Sequence, residues 1–224
     1  EIDLREGPQC TVMYKTLAKS CPWYDYFAIA SGRTDMPSLN IRKATANDAT
    51  FVLEMSEVAG HGFLPHFFKQ VLPKGQDLRG FMLSRVENPQ GKMSYTKCLI
   101  AEVDGACVGM INLDLIAENP EPIDPDLPPM FRPLAELEAS VPGALTIEFL
   151  ATLPEARGKG VGTALIESAK VQAGSGGVAL VVSDNNTAAR GLYEKAGFCE
   201  ARRRPIVAQG WETTGTEWIL MKNP

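Results

Sequence analysis

The residues of this sequence with the clearest chemical potential form one short glycine-rich stretch: Arg157, Gly158, Lys159, Gly160, Val161 and Gly162. The stretch lies between an apolar segment that predicts a strand and a segment that predicts an amphipathic helix. Glycines allow several backbone N–H groups to converge on one anion, because no side chain keeps the chain away from phosphate oxygens. The positive end of the following helix and the two basic side chains would add attraction. The stretch therefore predicts a phosphate-binding turn.

The spacing of the glycines separates three kinds of phosphate-binding loop. A P-loop needs GxxxxGK followed by Ser or Thr, and counting from Gly158 or Gly160 does not produce that pattern. A dinucleotide-binding loop needs GxGxxG, but its third glycine would fall on Thr163 or Leu165. Asp184 lies at a suitable distance for a ribose-binding acid, so the dinucleotide loop stays as the second interpretation.

The pattern that fits is Arg-x-x-Gly-x-Gly, formed by Arg157, Gly160 and Gly162. It resembles the acetyl-coenzyme A signature of the GCN5-related N-acetyltransferase (GNAT) superfamily. Residues 149–157, a strand that leads through Pro and Glu into the loop, resemble the usual approach to that signature. Residues 186–198 resemble the second signature of the superfamily. The resemblance is strongest over residues 144–198 and compatible with residues 39–222.

The resemblance implies a mixed α/β (α+β) fold, in which helices flank a mostly antiparallel, twisted sheet with a V-shaped splay between its central strands. It implies acetyl-CoA as co-substrate, whose pantetheine arm would lie between residues 146–152 and 178–183. Asn186 would bond to that arm, or it would simply cap the last helix. The expected cofactor-binding residues are Leu150, Ala151, Thr152, Arg157, Gly158, Lys159, Gly160, Val161, Gly162, Thr163, Asn186 and Ala189.

The same resemblance suggests two catalytic residues. Glu148 is the only carboxylate between Ala144 and Leu153, and it resembles the position of a general base in some members of the superfamily. Alternatively, it faces solvent or pairs with a basic residue. Tyr193 matches the usual acid that protonates the leaving thiolate, although it could instead be a core aromatic residue beside Phe198. A backbone N–H near residues 150–151 would polarise the thioester carbonyl.

The surrounding sequence predicts the elements that must position these residues. The order of predicted elements is β, α, α, β, β, β, α, β, α, β, β, and Asp104-Gly105 predicts a tight hairpin turn. Residues 117–143 hold seven prolines and six acidic residues and predict a long loop with a helical piece at 134–139. Predicted strands cover residues 39–43, 97–103, 106–116, 144–152, 178–183, 198–207 and 216–222. One predicted helix runs from the Thr45/Asp48 capping box to Gly60, a second covers 76–86, a third begins near Val161 and a fourth covers 187–196. A helical turn is predicted at 67–72.

Composition excludes several classes of protein. The chain has 224 residues, 45% of them hydrophobic, and a net charge of -5, which suits one globular domain and argues against a nucleic-acid footprint. We expect that domain to cover residues 36–224, with Met36 as a possible start and residues 1–35 as an upstream extension or an accessory arm. No apolar run is long enough to span a membrane and no secretory signal is evident, so we expect a soluble cytoplasmic protein. Five scattered cysteines indicate free thiols and no metal site.

These features predict an N-acetyltransferase that moves an acetyl group from acetyl-CoA to a primary amine of a small molecule or peptide, by direct attack in a ternary complex. A regulatory module that binds acyl-CoA without catalysis is the alternative. One of His61 and His66 could assist the base, or both are structural. Glu57 and residues 63–68 are further candidates for the acceptor pocket. The sequence names neither the acceptor nor the oligomeric state, and a homodimer stays open.

Overall fold

A computed structural model of the protein describes residues 38–223. The predicted extension 1–35 and the start at Met36 lie outside the described residues. The described chain forms a seven-stranded sheet in the order β1-β2-β3-β4-β5-β7-β6. Only β4 and β5 pair in parallel, whereas the other neighbours are antiparallel, which confirms the predicted mixed, mostly antiparallel class. The strands are β1 (Leu39–Lys43), β2 (Cys98–Val103), β3 (Ala106–Leu115), β4 (Leu145–Thr152), β5 (Val178–Ser183), β6 (Cys199–Pro205) and β7 (Glu217–Asn223).

Helices cover both faces of this sheet. Short 3₁₀ helices precede the first α-helix, β2 and the glycine-rich turn, at Ala46–Asp48, Tyr95–Lys97 and Pro154–Ala156. The α-helices are α1 (Ala49–Ala59), α2 (Phe63–Val71), α3 (Leu78–Glu87), α4 (Arg132–Glu138), α5 (Val161–Gln172) and α6 (Thr187–Lys195).

The hairpin between β2 and β3 forms as the sequence predicts. Asp104 and Gly105 join Val103 to Ala106, and both have positive φ angles, 51° and 81°. A two-residue turn of this kind needs positive φ at both positions, which Asp tolerates and Gly adopts freely. The turn therefore fixes where β2 and β3 begin to pair, with Val103 opposite Ala106.

Two helices are longer than the sequence suggests, and proline explains both differences. α2 begins at Phe63 rather than at residue 67, and α4 begins at Arg132 rather than at residue 134. Pro65 and Pro133 lie in the first turns of these helices, where the missing N–H has no helical acceptor and costs nothing. Pro65, which the sequence predicts to break the backbone, instead lies in the first turn of a helix.

Other boundaries move by a few residues. α3 begins at Leu78 instead of residue 76, because Asp77 caps it by accepting the Gly80 N–H at 2.8 Å. β6 ends at Pro205 instead of residue 207, and α6 ends at Lys195 instead of residue 196. None of these shifts alters the order of the elements that surround the central strands.

The sheet separates two apolar layers. Along β2, Leu99 and Ala101 belong to a layer with α5 and α6, whereas Cys98 and Ile100 belong to a layer with α1, α2 and α3. We call these the α5 face and the α1 face. α4 packs through Leu137 on the same side as α1, against β5 and β7. Strand periodicity thus gives each face its own core.

Three further features concern residues 38–223 only. None of the helices there is both long and apolar enough to cross a lipid bilayer. Cys98, Cys107 and Cys199 are free thiols, while Cys10 and Cys21 lie outside that range. Within the same range, the structure groups no set of three His, Cys, Asp or Glu side chains that could hold a metal ion.

Candidate active site

The central parallel strands separate soon after they meet. β4 pairs with β5 only from Leu145 opposite Val178 to Ile147 opposite Leu180, although β4 continues to Thr152. Beyond that point the edge of β4 that faces β5 has lost its ladder partner. The V-shaped splay is therefore present, and its closed end lies at Ile147.

A β-bulge coincides with the closed end of the splay. Asn112 of β3 lies opposite Phe149, and the next residue, Leu113, lies opposite Ile147. Glu148 is the extra residue between the two partners. A bulge bends a strand and redirects a side chain, so it explains both why β4 leaves β5 here and how Glu148 comes to line the opening.

The glycine-rich turn stands at the open end of β4. Gly158 and Gly160 have φ angles of 70° and 81°, in the left-handed region that a side chain would strain. Gly160 is the N-terminal cap of α5, and the N–H groups of the first helical turn, which starts at Val161, have no acceptor within the helix. A Cβ on Gly162 would come within 3.3 Å of the Leu192 side chain of α6. These features make a tight, donor-rich turn that an anion fits.

One cleft of about 1660 Å³ runs through the splay. On the α5 face it is lined by the glycine-rich turn and by α6. On the α1 face it is lined by the α1–α2 connection, by α4 and by residues 211–214 of the β6–β7 connection. Arg157 and Lys195 give the first half positive charge, whereas the second half carries three carboxyl groups, Glu138, Glu148 and Glu212, and one lysine, Lys92. The two halves therefore suit different ligands.

The predicted catalytic and cofactor-binding residues meet in this cleft with one exception. Glu148 and Tyr193 both line it. Lys159 does not line it, although its neighbours on both sides do. The predicted cofactor-binding residues that do line it are Leu150, Ala151, Thr152, Arg157, Gly158, Gly160, Val161, Gly162, Thr163, Asn186 and Ala189.

Thr146 lies against the carboxyl group of Glu148. The Thr146 hydroxyl oxygen is 2.9 Å from Oε1 of Glu148 and 2.9 Å from the carbonyl oxygen of Asp114. A hydroxyl has one hydrogen and a carbonyl oxygen only accepts. The Thr146 hydroxyl can donate to the ionised Glu148 carboxylate, or it can accept from the protonated Glu148 while it donates to Asp114. The local geometry therefore accommodates the neutral acid.

The surroundings of Glu148 raise its pKa to about 7. Burial is the largest cause, since it penalises the ionised form, and the nearby carboxylate of Glu138 adds to the increase. The ammonium group of Lys92 and the hydrogen bond with Thr146 act in the opposite direction. The result is a carboxyl group that exchanges a proton near neutral pH.

Lys92 and Glu138 form an ion pair on the wall of the cleft near Glu148. The Lys92 Nζ lies 3.0 Å from Oε2 of Glu138, on α4. Burial lowers the pKa of Lys92, but the carboxylates of Glu138, Glu148 and Asp114 outweigh it and raise that pKa. Asp114 has a closer partner of its own, because it lies 2.7 Å from Nζ of Lys97. The Lys92–Glu138 pair was not anticipated from the sequence.

Tyr193 has two structural roles at once. It lines the cleft, and its ring also lies 5.8 Å from that of Phe198 in the α5-face core. Within residues 38–223 its hydroxyl has no hydrogen-bond partner. Burial raises the pKa of Tyr193 above its ordinary value. The side chain is thus held neutral, with its proton uncommitted.

Asn186 caps α6, as one of the two interpretations of the sequence predicts. Its Oδ1 accepts the N–H of Ala189 at 3.2 Å. Its Nδ2 lies 3.4 Å from Nε2 of His61, which also lines the cleft. His66 is not a lining residue, and its Nε2 lies 3.1 Å from the carbonyl oxygen of Gln209. The two histidines thus have different surroundings.

Aromatic residues form the wall of the α1-face half of the cleft. Phe63 makes edge-to-face contacts with Phe131 at 5.2 Å and with Trp211 at 5.1 Å. Trp211 stacks on Trp218 at 5.8 Å, with 7° between the ring planes. Phe67 contacts Phe131 at 4.5 Å. We call these five rings the aromatic wall, and all of them line the cleft.

The sequence predicts part of this wall but not the rest. Residues 63–68 were candidates, and Phe63, Leu64, Phe67 and Phe68 do line the cleft. Glu57 does not line it and instead lies 3.6 Å from Arg79. Trp211 and Trp218 come from the β6–β7 segment, which carries no local motif. Their aromatic type is the one feature of the sequence that indicates a role for them.

Comparison with known proteins agrees with this geometry. A family model described as the acetyltransferase (GNAT) family matches residues 67–198. Among solved structures, the chain resembles an N-acetyltransferase from Staphylococcus aureus Mu50 with 21% sequence identity and a TM-score of 0.58, covering 81% of this chain and 98% of that one. It also resembles an acetyltransferase with 19% sequence identity and a TM-score of 0.55, covering 82% of this chain and 98% of that one. No curated protein matches the chain. At these identities the two structures support the fold alone.

Proposed function

The chain belongs to the acetyltransferase (GNAT) family, and we propose that it transfers the acetyl group of acetyl-CoA to the nitrogen of a primary amine. The observation that carries the proposal is the position of Glu148. Its carboxyl group, with a pKa of about 7, lies at the closed end of the splay, in the same cleft as the glycine-rich turn. A proton acceptor near neutral pH in the same cleft as an anion-binding turn is what amine acetylation needs.

The chain offers acetyl-CoA a turn and a strand edge. The positive φ angles of Gly158 and Gly160 bring main-chain N–H groups together at the start of α5, which suits the pyrophosphate. The unpaired edge of β4 beyond Ile147 suits the amide-rich pantetheine arm, which could pair with it as an added strand does. Acetyl-CoA would supply an acetyl group activated as a thioester.

Glu148 solves the first proton problem of the reaction. An alkyl ammonium ion has a pKa of about 10.4, so only about one molecule in a few thousand is a neutral nucleophile at pH 7. The ionised Glu148 carboxylate attracts the ammonium ion into the cleft and takes its proton. Thr146 then completes the hydrogen bonding of the neutral acid, because it can accept from Glu148 while it donates to Asp114.

Tyr193 solves the second proton problem. As the new C–N bond forms and the C–S bond breaks, the leaving sulfur needs a proton, and we assign the Tyr193 hydroxyl as its donor. Burial raises the pKa of Tyr193, which alone makes it a weaker acid. The same dry surroundings raise the pKa of the leaving thiol, so the difference between the pKa values of Tyr193 and of that thiol narrows. The uncommitted hydroxyl proton is consistent with this role.

Backbone N–H groups of β4 provide the remaining stabilisation. Leu150 and Ala151 line the cleft beyond the end of β4–β5 pairing. An N–H there would donate to the acetyl carbonyl oxygen as negative charge develops on it. Asn186 and Ala189, at the start of α6, line the cleft on the other side and would contact the cofactor arm.

A two-stage experiment tests this function. Calorimetry with acetyl-CoA measures cofactor binding, and a thiol-release assay with a panel of amines measures transfer. We expect binding in the first stage and amine-dependent thiol release in the second, with an N-acetylated product identified by mass spectrometry. Acetyl-CoA binding without thiol release above hydrolysis for any amine would instead support a non-catalytic acyl-CoA module. An ester product would show that oxygen is the acceptor.

A further inference from the structure

We infer that the acceptor is a small monoamine that carries its ammonium group on a flat apolar body, as an arylalkylamine does. The inference rests on the proposed function and specifies the substrate class of the same site. It follows from two properties of the α1-face half of the cleft: the aromatic wall and the pairing of charges around Glu148.

The aromatic wall offers a broad apolar surface and few polar partners. Phe67, Phe131 and Trp218 are partly exposed to the cleft, while Phe63 and Trp211 are buried behind and beside them. The Trp211 N–H is already committed to the carbonyl oxygen of His61 at 3.2 Å. A polyhydroxylated ligand would lose its hydrogen bonds with water against this wall, whereas a flat apolar group would gain from burial and ring contacts.

The wall is also well anchored. Gln209 of the β6–β7 connection accepts the Met130 N–H at 3.0 Å, just before Phe131. This bond ties the segment that carries Trp211 to the segment that carries α4. Rings contributed by separate parts of the chain are thereby held in one arrangement, which favours a rigid, planar group over a flexible chain.

The charges of this half of the cleft suit one cation. Lys92 and Glu138 pair with each other at 3.0 Å, which leaves Glu148 as the partly buried carboxylate without a basic side chain in contact. Glu212, His61 and Lys92 are all exposed to solvent, where water screens their charges. One ammonium group can therefore be neutralised in the interior. The second charge of a diamine would lie beside the Lys92–Glu138 pair, whose two charges offset each other and offer it no net attraction.

The two properties act together on the same ligand. An ammonium group near the face of an aromatic ring gains a cation–π attraction in addition to its attraction to a carboxylate. A ligand with one ammonium group one or two carbons from a ring would use both the carboxylate and the wall. Polyamines and aminoglycosides would use the carboxylate alone.

The test compares kcat/KM of the full chain for matched amines in the thiol-release assay. The panel contains 2-phenylethylamine, tryptamine, ethylamine, putrescine, spermidine, an aminoglycoside and a peptide with a free N-terminus. Burial of the ring predicts a kcat/KM about 10- to 100-fold higher for 2-phenylethylamine than for ethylamine. A higher kcat/KM for a polyamine, the aminoglycoside or the peptide than for both arylalkylamines would overturn the inference.

Two variants connect the preference to the residues that cause it. Phe67→Leu should reduce the ratio of kcat/KM for 2-phenylethylamine to that for ethylamine, because the substitution removes a ring from the wall. Lys92→Met should raise kcat/KM for putrescine relative to 2-phenylethylamine by about two- to fivefold, because the exposed ammonium group is gone and the Glu138 carboxylate is left without its partner. Lys69→Met, an exposed lysine on α2 away from the cleft, is the control. Unchanged ratios in both variants would contradict the inference.

Failure of the inference is distinguishable from failure of the proposed function. If acetyl-CoA binds and some other class of amine is acetylated, the function stands and the acceptor class is wrong. If no amine in the panel supports thiol release, the function itself is wrong, and the inference falls with it.

Discussion

Ile147 and Phe149 are two positions apart on β4, yet their side chains pack on opposite faces of the sheet. Ile147 belongs to the α5-face core, and Phe149 packs against the α1-face core. In an unbroken strand, residues two positions apart share a face. The reversal marks the bulge at Glu148, which directs the carboxyl group towards Thr146 at the point where β4 and β5 separate. One extra residue thus coincides with the opening and supplies a carboxyl group that lines it.

Glu148→Gln should remove most of the transferase activity and leave cofactor binding intact. Gln keeps the size and hydrogen bonding of the side chain but cannot take a proton. We expect kcat to fall by about 10²- to 10⁴-fold, while the Kd for acetyl-CoA changes by less than about twofold. Steady-state kinetics and calorimetry measure the two effects. Glu167→Gln, on α5 outside the cleft, is the matched control. Activity within a few-fold of the parent would exclude Glu148 as the base.

The pH dependence of activity should follow the ionisation of Glu148. Its pKa of about 7 predicts that kcat/KM rises with pH and levels off above neutrality, because the base must be ionised. Lys92 lowers that pKa and Glu138 raises it. The midpoint should therefore move to higher pH in Lys92→Met and to lower pH in Glu138→Gln. pH profiles recorded with one acceptor measure the shifts, and movement of both variants in the same direction would contradict the electrostatic assignment.

The free energy of unfolding should also depend on pH through Glu148, and proton linkage gives the direction of that dependence. The pKa of Glu148 is raised from 4.5 to about 7 by folding, so the folded state holds the proton more tightly. The stabilisation is complete below pH 4.5 and disappears as the pH rises through 7. The Glu148→Gln variant does not lose stability in this way, because Gln does not ionise. Its Tm relative to the parent should therefore increase between pH 5 and pH 8, which thermal unfolding at a series of pH values measures. A flat difference would mean that the carboxyl group is not perturbed.

The parts of the site that the sequence predicts are those specified by local chemistry. The positive φ angles of Gly158 and Gly160 follow from glycine itself, and Asn186 caps α6 through its own side chain. The Asp104-Gly105 turn is likewise determined by the conformations that its two residues tolerate. Each of these features needs only a few neighbouring residues to define it, so the pattern is readable without the fold.

The parts that the sequence does not predict arise from contacts between distant segments. Lys92 and Glu138 are separated by 46 positions, and Trp211 bonds to His61 across 150 positions. The bulge at Glu148 depends on the register between β3 and β4, which no single strand determines. The glycine-rich turn and the cap of α6 were therefore predictable from the sequence, whereas the Lys92–Glu138 pair, the Trp211–His61 bond and the bulge needed the structure.

Gly160→Val should abolish acetyl-CoA binding. At φ 81°, a β-branched side chain is strained, and its bulk would obstruct the N–H groups at the start of α5. We expect a loss of affinity of at least about 100-fold with the circular dichroism spectrum retained. Gly174→Ala is the control, because a Cβ at that position would meet no atom within 4 Å and the residue lacks positive φ. Tight binding by the valine variant would refute the assignment of the turn to the pyrophosphate.

Tyr193→Phe should separate catalysis from binding and from stability. The Tyr193 hydroxyl has no partner within residues 38–223, so its removal should change the free energy of unfolding by less than about 1 kcal/mol. The ring contact with Phe198 at 5.8 Å is kept, because phenylalanine retains the ring. If the hydroxyl protonates the departing sulfur, kcat should fall by about 10- to 1000-fold at constant Kd for acetyl-CoA.

The measurement should use Tyr95→Phe as the control, since Tyr95 lies in a 3₁₀ helix outside the cleft. A decrease in kcat that disappears with an acyl donor whose thiol is more acidic would identify the missing step as protonation of sulfur. A stable Tyr193→Phe protein with the kcat of the parent would instead show that Tyr193 serves the α5-face core alone. The sulfur would then have to take its proton from solvent or from the attacking amine itself.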